Sequence, residues 1–393
     1  MDSGSIEVEG ACVLKIAIES NSMRPPRSGI GRYTWEITRR WEQDPGIGLF
    51  YFYGTSWVTR WPDIMPPAIR SSSQGVVRWL KEHTPKGREI RHHLDNAVFH
   101  VHLRKNPVDV VFGPNYSAPK SRVPTVITFH DLSHIRYPDT HPPARVTYLN
   151  QQIPKSVRQA AIILTVSEFS REEIIDLFPE VESRIRVVYP GINPSVASAG
   201  AEADLVQWLG TDPPPYFLFL ATLEPRKNIK RLLAAYAALP DRFRKEHPLY
   251  LAGSFGWREA EFSDVLKPLV DGGEARILGF VPDTLLPALY RRALALVYPS
   301  LYEGFGLPPV EAMATGCPVL VSNVTAMPEV CGDGALYCDP MDVSSIRDGM
   351  LRLAEDGELR NRLSQAGPVR ASLYSWDRSG AEILALMREV ATG

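Results

Sequence analysis

The stretch YPSLYEGFGLPPVEAMATGCP, residues 298–318, decides the fold of this chain. The apolar run ALALVYPS, which leads into it, predicts a buried strand. Pro308 and Pro309 suit the start of a helix, where a missing N–H would have no helical partner. Gly316 suits the residue after the helix end, and Pro318 prevents the helix from continuing. The stretch therefore predicts a strand, a glycine-containing loop and a short helix.

Two carboxylates flank that loop. We expect Glu303 to lie on the loop and Glu311 in the first turn of the helix. The free N–H groups of a helix N-terminus attract anions, phosphate above all, and a nearby carboxylate can accept hydrogen bonds from sugar or ribose hydroxyls. The spacing alone is equally consistent with structural roles, in which Glu311 complements the helix dipole and Glu303 is solvated.

The composition is that of a soluble globular protein with two domains. The chain has 393 residues, of which 44% are hydrophobic and 22% charged, and single cores rarely grow to this length. No apolar run reaches the ~18–20 residues that a spanning helix needs. The acidic N-terminus lacks a signal-peptide layout. Four cysteines without a C-x-x-C pair argue against structural zinc and fit a reducing cytoplasm.

Positive charge is concentrated in the first half of the chain, within residues 76–105. This segment has seven Lys and Arg against three acidic residues. A solvated helical face is one interpretation, and contact with anionic lipid headgroups is the other. A metal site is disfavoured because the neighbouring His92 and His93 would point apart on a helix. The residues proposed to contact lipid are Arg78, Lys81, Lys86, Arg88, Arg91, Arg104 and Lys105, with Trp79 and Phe99 among them.

Two loops early in the chain also follow predicted strands. Gly29 and Gly31 follow the strand LKIAIES, but their G-x-G is too short to be a dinucleotide fingerprint, and the residues alone favour a flexible turn before the helix YTWEITRRWEQ. His130 comes directly after the strand TVITF, and ligands of open α/β sheets bind at the carboxyl ends of strands. A local hydrogen bond to Asp131 would be the structural alternative for His130.

In the second half, Arg226 and Lys227 lie between a predicted strand and a helix. Two adjacent cations at that position suit a diphosphate leaving group, although a solvated pair is also possible. Residues 195–215 are small, acidic and proline-ended, as is typical of a linker. We therefore place the domain boundary at residues 194 and 195.

Together these motifs resemble the retaining glycosyltransferases of family 4. The resemblance rests on the E-x(7)-E of EGFGLPPVE, on SNVTAMPEVCGDGALYCDP and on FHD, and it is weakest over residues 40–105. It implies the α/β GT-B fold, with two doubly wound Rossmann-like domains facing a cleft. These would be an acceptor domain at 1–194, a donor domain at 195–376 and a helix at 377–393 that crosses back to the first domain. It also implies that Glu303 contacts the donor sugar, that Glu311 holds the nucleotide ribose and that His130 is the active-site histidine.

The resemblance implies further donor-binding positions. Arg226 and Lys227 of EPRKN would hold the diphosphate. Many family members have Arg five residues before the Lys, where this chain has Thr222, so Arg226 would supply the guanidinium as in a variant subgroup. The remaining positions would be Gly29 and Gly31 at the diphosphate and acceptor, Phe280 and Val281 at the base, and the amides of Phe305, Gly306 and Leu307 at the sugar and diphosphate.

The motifs GIGRYT, FHDLSH, VSEFSREEI and EPRKN together resemble bacterial mannosyltransferases of surface-polysaccharide assembly. This implies GDP-mannose as donor, a polyprenyl-diphosphate-linked oligosaccharide as acceptor, and a cytoplasmic enzyme peripheral to the inner face of the cell membrane, with no nucleic-acid partner. No metal cofactor is expected because the chain has no D-x-D. The alternatives are a UDP- or dTDP-sugar donor, a GT-B epimerase or phosphorylase, and a non-catalytic protein that binds sugar nucleotides.

Overall fold

The computed structural model of the protein describes residues 13–24, 29–62, 87–192, 202–254 and 262–392, with only the backbone of residues 87–94. Strands and helices alternate along these ranges and form two separate parallel sheets. The boundary that we predict at residues 194 and 195 lies outside them. No helix within the described ranges is long and apolar enough to cross a membrane.

The first sheet has seven strands in the order β3-β2-β1-β4-β5-β6-β7, all parallel except the β2–β3 pair. Its strands are β1 Leu14–Glu19, β2 Ile47–Tyr53, β3 Ser56–Val58, β4 Val110–Gly113, β5 Thr125–Phe129, β6 Ile162–Thr165 and β7 Ile185–Val187. The helices between them are α1 Gly29–Trp41, α2 Gly87–Lys105, α3 Ser133–Arg136, α4 Pro143–Gln159 and α5 Glu168–Leu177.

The second sheet has six parallel strands in the order β10-β9-β8-β11-β12-β13. Its strands are β8 Tyr216–Leu220, β9 Leu249–Ala252, β10 Ala275–Gly279, β11 Ala293–Tyr298, β12 Val319–Ser322 and β13 Leu336–Cys338. The helices of this half are α6 Glu202–Leu209, α7 Ile229–Ala237, α8 Asp241–Glu246, α9 Ser263–Asp271, α10 Leu286–Arg292, α11 Leu307–Ala314, α12 Met327–Cys331, α13 Val343–Glu355 and α14 Gly357–Ala371, followed by α15 Trp376–Thr392.

The central strands of the second sheet are covered on both faces. In β8, Tyr216 and Leu218 belong to one hydrophobic cluster while Phe217 and Phe219 belong to another. Successive side chains of a strand point to opposite faces, so the continuous apolar run YFLFL is what a strand buried on both sides requires. The ends of such strands are then held in a fixed position, which allows the loops that follow them to form a site.

Helix α15 packs against α1, as predicted for the last helix. The indole of Trp41 donates to the carbonyl of Gly380 over 2.8 Å, and Nε of Arg40 lies 2.5 Å from Oδ1 of Asp377. At the start of α15 the chain passes Gly191 so closely that a Cβ there would lie 1.9 Å from the amide nitrogen of Trp376. The last helix therefore ties the second half of the chain to the first.

Three sequence predictions are wrong in detail. Part of the predicted linker is helix α6, because Leu205 and Leu209 are spaced by one helical turn and are both buried. Helix α1 begins at Gly29 rather than at Tyr33, so Gly29 and Gly31 lie in its first turn and not in a loop. Phe99, predicted to lie in a lipid-contacting patch, is fully buried and packs edge-on against Phe52. The side chains of Arg78, Trp79, Lys81, Lys86, Arg88, Arg91, His92 and His93 lie outside the described part.

Candidate active site

The point where the strand order of the second sheet reverses lies between β8 and β11. Arg226 and Lys227 follow β8, and Glu303 follows β11. Open α/β sheets bind their ligands outside the carboxyl ends of the strands at such a point. The topology thus brings together three of the side chains singled out from the sequence.

Glu303 is buried between two cations. Its Oε1 lies 2.5 Å from Nζ of Lys227, and its Oε2 lies 3.3 Å from Nη1 of Arg226. The ammonium of Lys227 also donates to the hydroxyl of Tyr298 over 2.8 Å. Burial alone would raise the pKa of Glu303, but the charges of Lys227 and Arg226 outweigh it and lower that pKa. The carboxylate of Glu303 is therefore ionised.

Arg226 is surrounded by acceptors and still has one N–H without a partner. Its Nη2 lies 2.9 Å from Oε1 of Glu224, and its Nη1 donates to the carbonyl of Tyr302 over 2.7 Å. Its Nε is buried and has no hydrogen-bond partner among the described residues. A buried donor without an acceptor is costly, so an additional acceptor at Nε would stabilise Arg226.

Asp131 brings a carboxylate from the first half of the chain to this cluster. Burial would raise the pKa of Asp131, but the charge of Arg226 and hydrogen bonds from Ser133 and Tyr116 hold it well below its usual range. Oδ1 of Asp131 accepts from the hydroxyl of Ser133 over 2.7 Å and from that of Tyr116 over 3.0 Å. The electrostatic attraction between Asp131 and Arg226 thus acts between the two halves.

His130 does not make the local bond to Asp131 that was its structural alternative. Its Nε2 lies 2.7 Å from the carbonyl oxygen of Pro114, so Nε2 carries the proton and donates it. The ring of Tyr33 packs against the imidazole at a centroid distance of 4.9 Å. Burial lowers the pKa of His130, although the bond to Pro114 opposes this. The imidazole is therefore neutral, and its Nδ1 is an acceptor.

The loop of Glu303 touches the loop of His130. A Cβ built on Gly304 would lie 1.9 Å from the carbonyl oxygen of His130 and 3.0 Å from Cβ of Asp131. No side chain can be accommodated at that distance unless the two loops separate. Gly304 therefore permits the two halves of the chain to close on each other at the site.

Glu311 is buried and bound by both halves of the chain. Its Oε1 lies 2.7 Å from Nη1 of Arg32, in α1, and its Oε2 accepts from the hydroxyl of Tyr290 over 3.1 Å. Burial raises the pKa of Glu311, and the charge of Arg32 offsets this only in part. The environment of Glu311 thus contrasts with that of Glu303, which has two cations beside it.

The sequence predicted Glu311 in the first turn of its helix, and the structure shows that this prediction is wrong. Gly306 has a φ of 89° and is the N-cap residue, so α11 begins at Leu307 and Glu311 is its fifth residue. Only a glycine adopts this left-handed conformation without strain. The carboxylate pairs with Arg32 and Tyr290 instead of acting as a first-turn partner of the helix dipole.

The remaining predicted positions lie on three different elements of the two halves. The side chain of Phe305 is buried against Tyr374, and the backbone amides of Phe305, Gly306 and Leu307 have no acceptor among the described residues. Phe280 follows the edge strand β10 and is 63% exposed. Val281 is buried next to it, and Gly29 and Gly31 begin the helix that carries Arg32.

Similarity to known proteins covers both halves of the chain. Residues 27–196 match the Glycosyltransferase Family 4 profile, and residues 202–370 match that of Glycosyl transferases group 1. O-antigen chain mannosyltransferase B of Escherichia coli is 37% identical over 93% of this chain and 97% of its own length. The chain belongs to the family 4 glycosyltransferases. O-antigen chain mannosyltransferase RfbU of Salmonella typhimurium is 31% identical to this glycosyltransferase over 56% of the chain and 58% of its own length.

Solved structures confirm the predicted GT-B fold of this glycosyltransferase. Sucrose-phosphate synthase from Thermosynechococcus elongatus aligns with a TM-score of 0.72 at 19% identity, over 96% of this chain and 99% of its own. Anabaena HepE, solved with UDP-glucose, aligns with a TM-score of 0.72 at 18% identity, over 96% and 100% of the two chains. Likeness at such low identity is evidence for the fold alone.

The sequence analysis did not identify Arg32 and Asp131 as members of the candidate site of this glycosyltransferase. Both follow a predicted site residue directly, Arg32 after Gly31 and Asp131 after His130. That adjacency was the only signal, because the partners Glu311 and Arg226 lie in the other half of the chain. Within the described ranges, no three His, Cys, Asp or Glu side chains are grouped so that they could hold a metal ion.

Proposed function

We propose that this glycosyltransferase moves an α-mannosyl group from GDP-mannose to a polyprenyl-diphosphate-linked oligosaccharide, with retention of configuration. The observation that carries the proposal is the cluster of Arg226, Lys227 and Glu303 at the strand-order reversal, where two cations and a carboxylate meet. The choice of mannose is supported by the two O-antigen mannosyltransferases to which the chain is similar.

The diphosphate of the donor would bind between Arg226, Lys227 and the start of helix α11. The buried Nε of Arg226 needs an acceptor, and a phosphate oxygen would supply one. The amides of Phe305, Gly306 and Leu307 would add donors at a helix N-terminus, which favours anions. Negative charge grows on the diphosphate as the sugar leaves, and these preorganised cations would stabilise it.

The sugar would lie between Glu303 and His130. The carboxylate of Glu303 would orient it by accepting hydrogen bonds from its hydroxyls, and Nδ1 of His130 would accept another. The bond between C1 and the leaving phosphate breaks while the acceptor oxygen bonds to C1 on the same face. A phosphate oxygen then takes the acceptor's proton. In this mechanism the side chains contribute mainly by holding the reactants in place.

The nucleotide would lie along the second sheet. Glu311 would accept hydrogen bonds from the ribose hydroxyls, sharing its charge with Arg32. The backbone of Phe280 and Val281, at the carboxyl end of the edge strand β10, would hold the base. Gly29 and Gly31, at the start of α1, would face the diphosphate and the acceptor.

We further propose that transfer needs no metal ion. A metal-bridged diphosphate is usually held by acidic side chains, and the chain has no D-x-D. Arg226 and Lys227 would neutralise the diphosphate instead, helped by the amides of α11. A polyprenyl-linked acceptor would also require the protein to dock on the membrane surface, and the basic residues of the segment 76–105 are the candidates for that contact.

The test is a nucleotide-sugar panel. Purified protein is incubated with GDP-mannose, UDP-glucose or a dTDP-sugar in the presence of EDTA, with a lipid-diphosphate-linked acceptor, and nucleotide release and product mass are measured. We expect hexose transfer from GDP-mannose and little from the others. Transfer from a UDP- or dTDP-sugar alone would refute GDP-mannose as the donor. Binding of a sugar nucleotide without transfer would indicate a non-catalytic protein. Transfer that requires added Mg²⁺ or Mn²⁺ would refute the proposal that no metal ion is needed.

A further inference from the structure

A glutamate from the second half of the chain occupies a helix N-terminus in the first half. Oε1 of Glu329, in α12, accepts from the backbone amide of Glu168 over 2.7 Å, and Oε2 accepts from that of Phe169 over 2.9 Å. These are the first two residues of α5, whose amides have no helical partners. The hydroxyl of Tyr189 donates to Oε1 over 2.9 Å. A single carboxylate thus binds three donors across the domain interface.

The helix that carries Glu329 is fixed from behind. Nε of Arg370 donates to the carbonyl of Val330 over 3.0 Å, and the same guanidinium bonds the carbonyl of Glu329. The hydroxyl of Tyr374 donates to the carbonyl of Val330 over 2.9 Å. A cation at the C-terminal end of a helix is favourable. Glu329 is therefore presented to α5 on a rigid support.

The contact of Glu329 is also connected to the loop of Glu303 through packed side chains. Tyr189 packs against Tyr374 with a centroid distance of 5.8 Å, and Tyr374 packs edge-on against Phe305, in that loop, at 5.1 Å. At the start of α12, the methyl group of Met327 lies where a Cβ on Gly306 would approach it to 2.4 Å. The backbone amide of Ala326 faces the carbonyl of Glu303 over 3.4 Å.

We propose that Glu329 is a positioning residue that latches the two halves of the enzyme in the closed arrangement, in which the loops of Glu303 and His130 touch. Within the described ranges no hydrogen bond or ion pair joins Glu329 to the proposed donor site, so it acts through the interface and through the loop that packs on it. This role of Glu329 goes beyond the proposed function, because it does not depend on which sugar nucleotide is the donor.

The first test is the shape of the protein without any donor. Small-angle X-ray scattering compares the wild type with Glu329→Gln, Glu329→Ala and Tyr189→Phe. The matched control is Asp333→Asn, which removes the same charge from an exposed position four residues away. We expect a larger radius of gyration for both Glu329 variants, a smaller increase for Tyr189→Phe and none for the control. Equal radii for all five proteins would overturn the proposal.

The second test is the division of the effect between kcat and nucleotide affinity, with GDP as the probe for binding and the panel's active sugar nucleotide as donor. Loss of a charge-assisted hydrogen-bond set predicts a kcat that is about tenfold lower in Glu329→Gln. The GDP dissociation constant should change by less than about threefold, because most of the proposed nucleotide contacts, Gly29 and Gly31 excepted, lie within the second half. A lower melting temperature with unchanged kcat, or a lower kcat with unchanged scattering, would show that Glu329 is not a latch.

Discussion

Glu303 and Glu311 are the same residue type eight positions apart, and their surroundings move their pKa values in opposite directions. The pKa of Glu303 is lowered because two cations outweigh burial, whereas that of Glu311 is raised because burial outweighs the single cation Arg32. The two carboxylates therefore differ in how readily they bind a proton. Glu303 is a fixed negative charge between two cations, and Glu311 is a buried acceptor whose charged partner, Arg32, is on the other half of the chain.

The substitutions Glu303→Gln and Glu311→Gln are expected to differ for this reason. Glu311→Gln should weaken donor binding by roughly 1.5–3 kcal/mol, the value of a hydrogen bond to a charged group, with a smaller change in kcat. Glu303→Gln should lower kcat more, because it disturbs sugar orientation and leaves Lys227 and Arg226 without their shared anion. Steady-state kinetics and calorimetric titration with the donor separate the two effects. Wild-type kinetics in both variants would mean that the site lies elsewhere.

At the scale of elements, the sequence predicted the buried strands well because their apolar runs need no distant partner. ALALVYPS contains β11, and TVITF is β5. Helix starts were less predictable, since glycines at residues 29 and 31 and the acidic composition after residue 200 suggested loops. Packing of apolar residues at helical spacing overrides those local preferences. The contacts of Arg32 and Asp131 could not be predicted at all, because they depend on how the two sheets face each other.

Gly304 gives an element-scale prediction. Gly304→Ala should reduce transfer at least tenfold, because its Cβ would clash with the carbonyl of His130 and hold the two loops apart. The fold of each half should survive, so the circular dichroism spectrum should be unchanged. Gly357→Ala is the control, since the nearest atom to its Cβ would be a flexible arginine tip at 3.6 Å. Full activity in Gly304→Ala would show that the loops need not touch during transfer.

A second element-scale prediction concerns acid stability. Burial lowers the pKa of both His134 and His141 to about 4, with Arg145 adding to the effect and Asp131 opposing it. The unfolded chain binds protons near the ordinary histidine pKa of about 6.5. The free energy of unfolding should therefore fall as the pH drops from about 6.5 to about 4.

Urea denaturation between pH 7.5 and pH 4.5 measures this dependence. His134→Phe should flatten it, because both ring nitrogens of His134 are buried without a partner in the described part of the chain. His100→Gln, at an exposed position, is the control and should keep the wild-type slope. An equally steep slope in His134→Phe would contradict the assignment of the effect to this histidine.

At the scale of the whole molecule, the two halves differ in charge. Residues 1–192 have 24 Lys and Arg against 20 Asp and Glu, while the chain as a whole has a net charge of −2. The exposed Arg104 and Lys105 lie at the end of α2, on the half proposed to receive the acceptor. This charge asymmetry predicts that the first half of the chain, rather than the second, faces an anionic membrane surface.

We expect the protein to co-sediment with anionic but not with neutral liposomes, and to be released at high salt. Each cation near an anionic bilayer contributes about 1 kcal/mol, and screening removes that attraction. Charge reversal at Arg88 and Arg91 should weaken sedimentation and leave donor hydrolysis intact. Reversal of the exposed Lys230 and Arg242, in the second half, is the control. Equal sedimentation with neutral vesicles, or none with either kind, would mean that α2 has an ordinary solvated face.

The most direct measurement for the central claim is a crystal structure of the enzyme with GDP-mannose. We expect the diphosphate within about 3 Å of Arg226 and Lys227, as is usual for charge-assisted hydrogen bonds. The ribose should contact Glu311, and the mannose should lie between Glu303 and His130. A donor bound away from the carboxyl ends of β8 and β11, or with its diphosphate on a metal ion instead of on these two cations, would contradict the account.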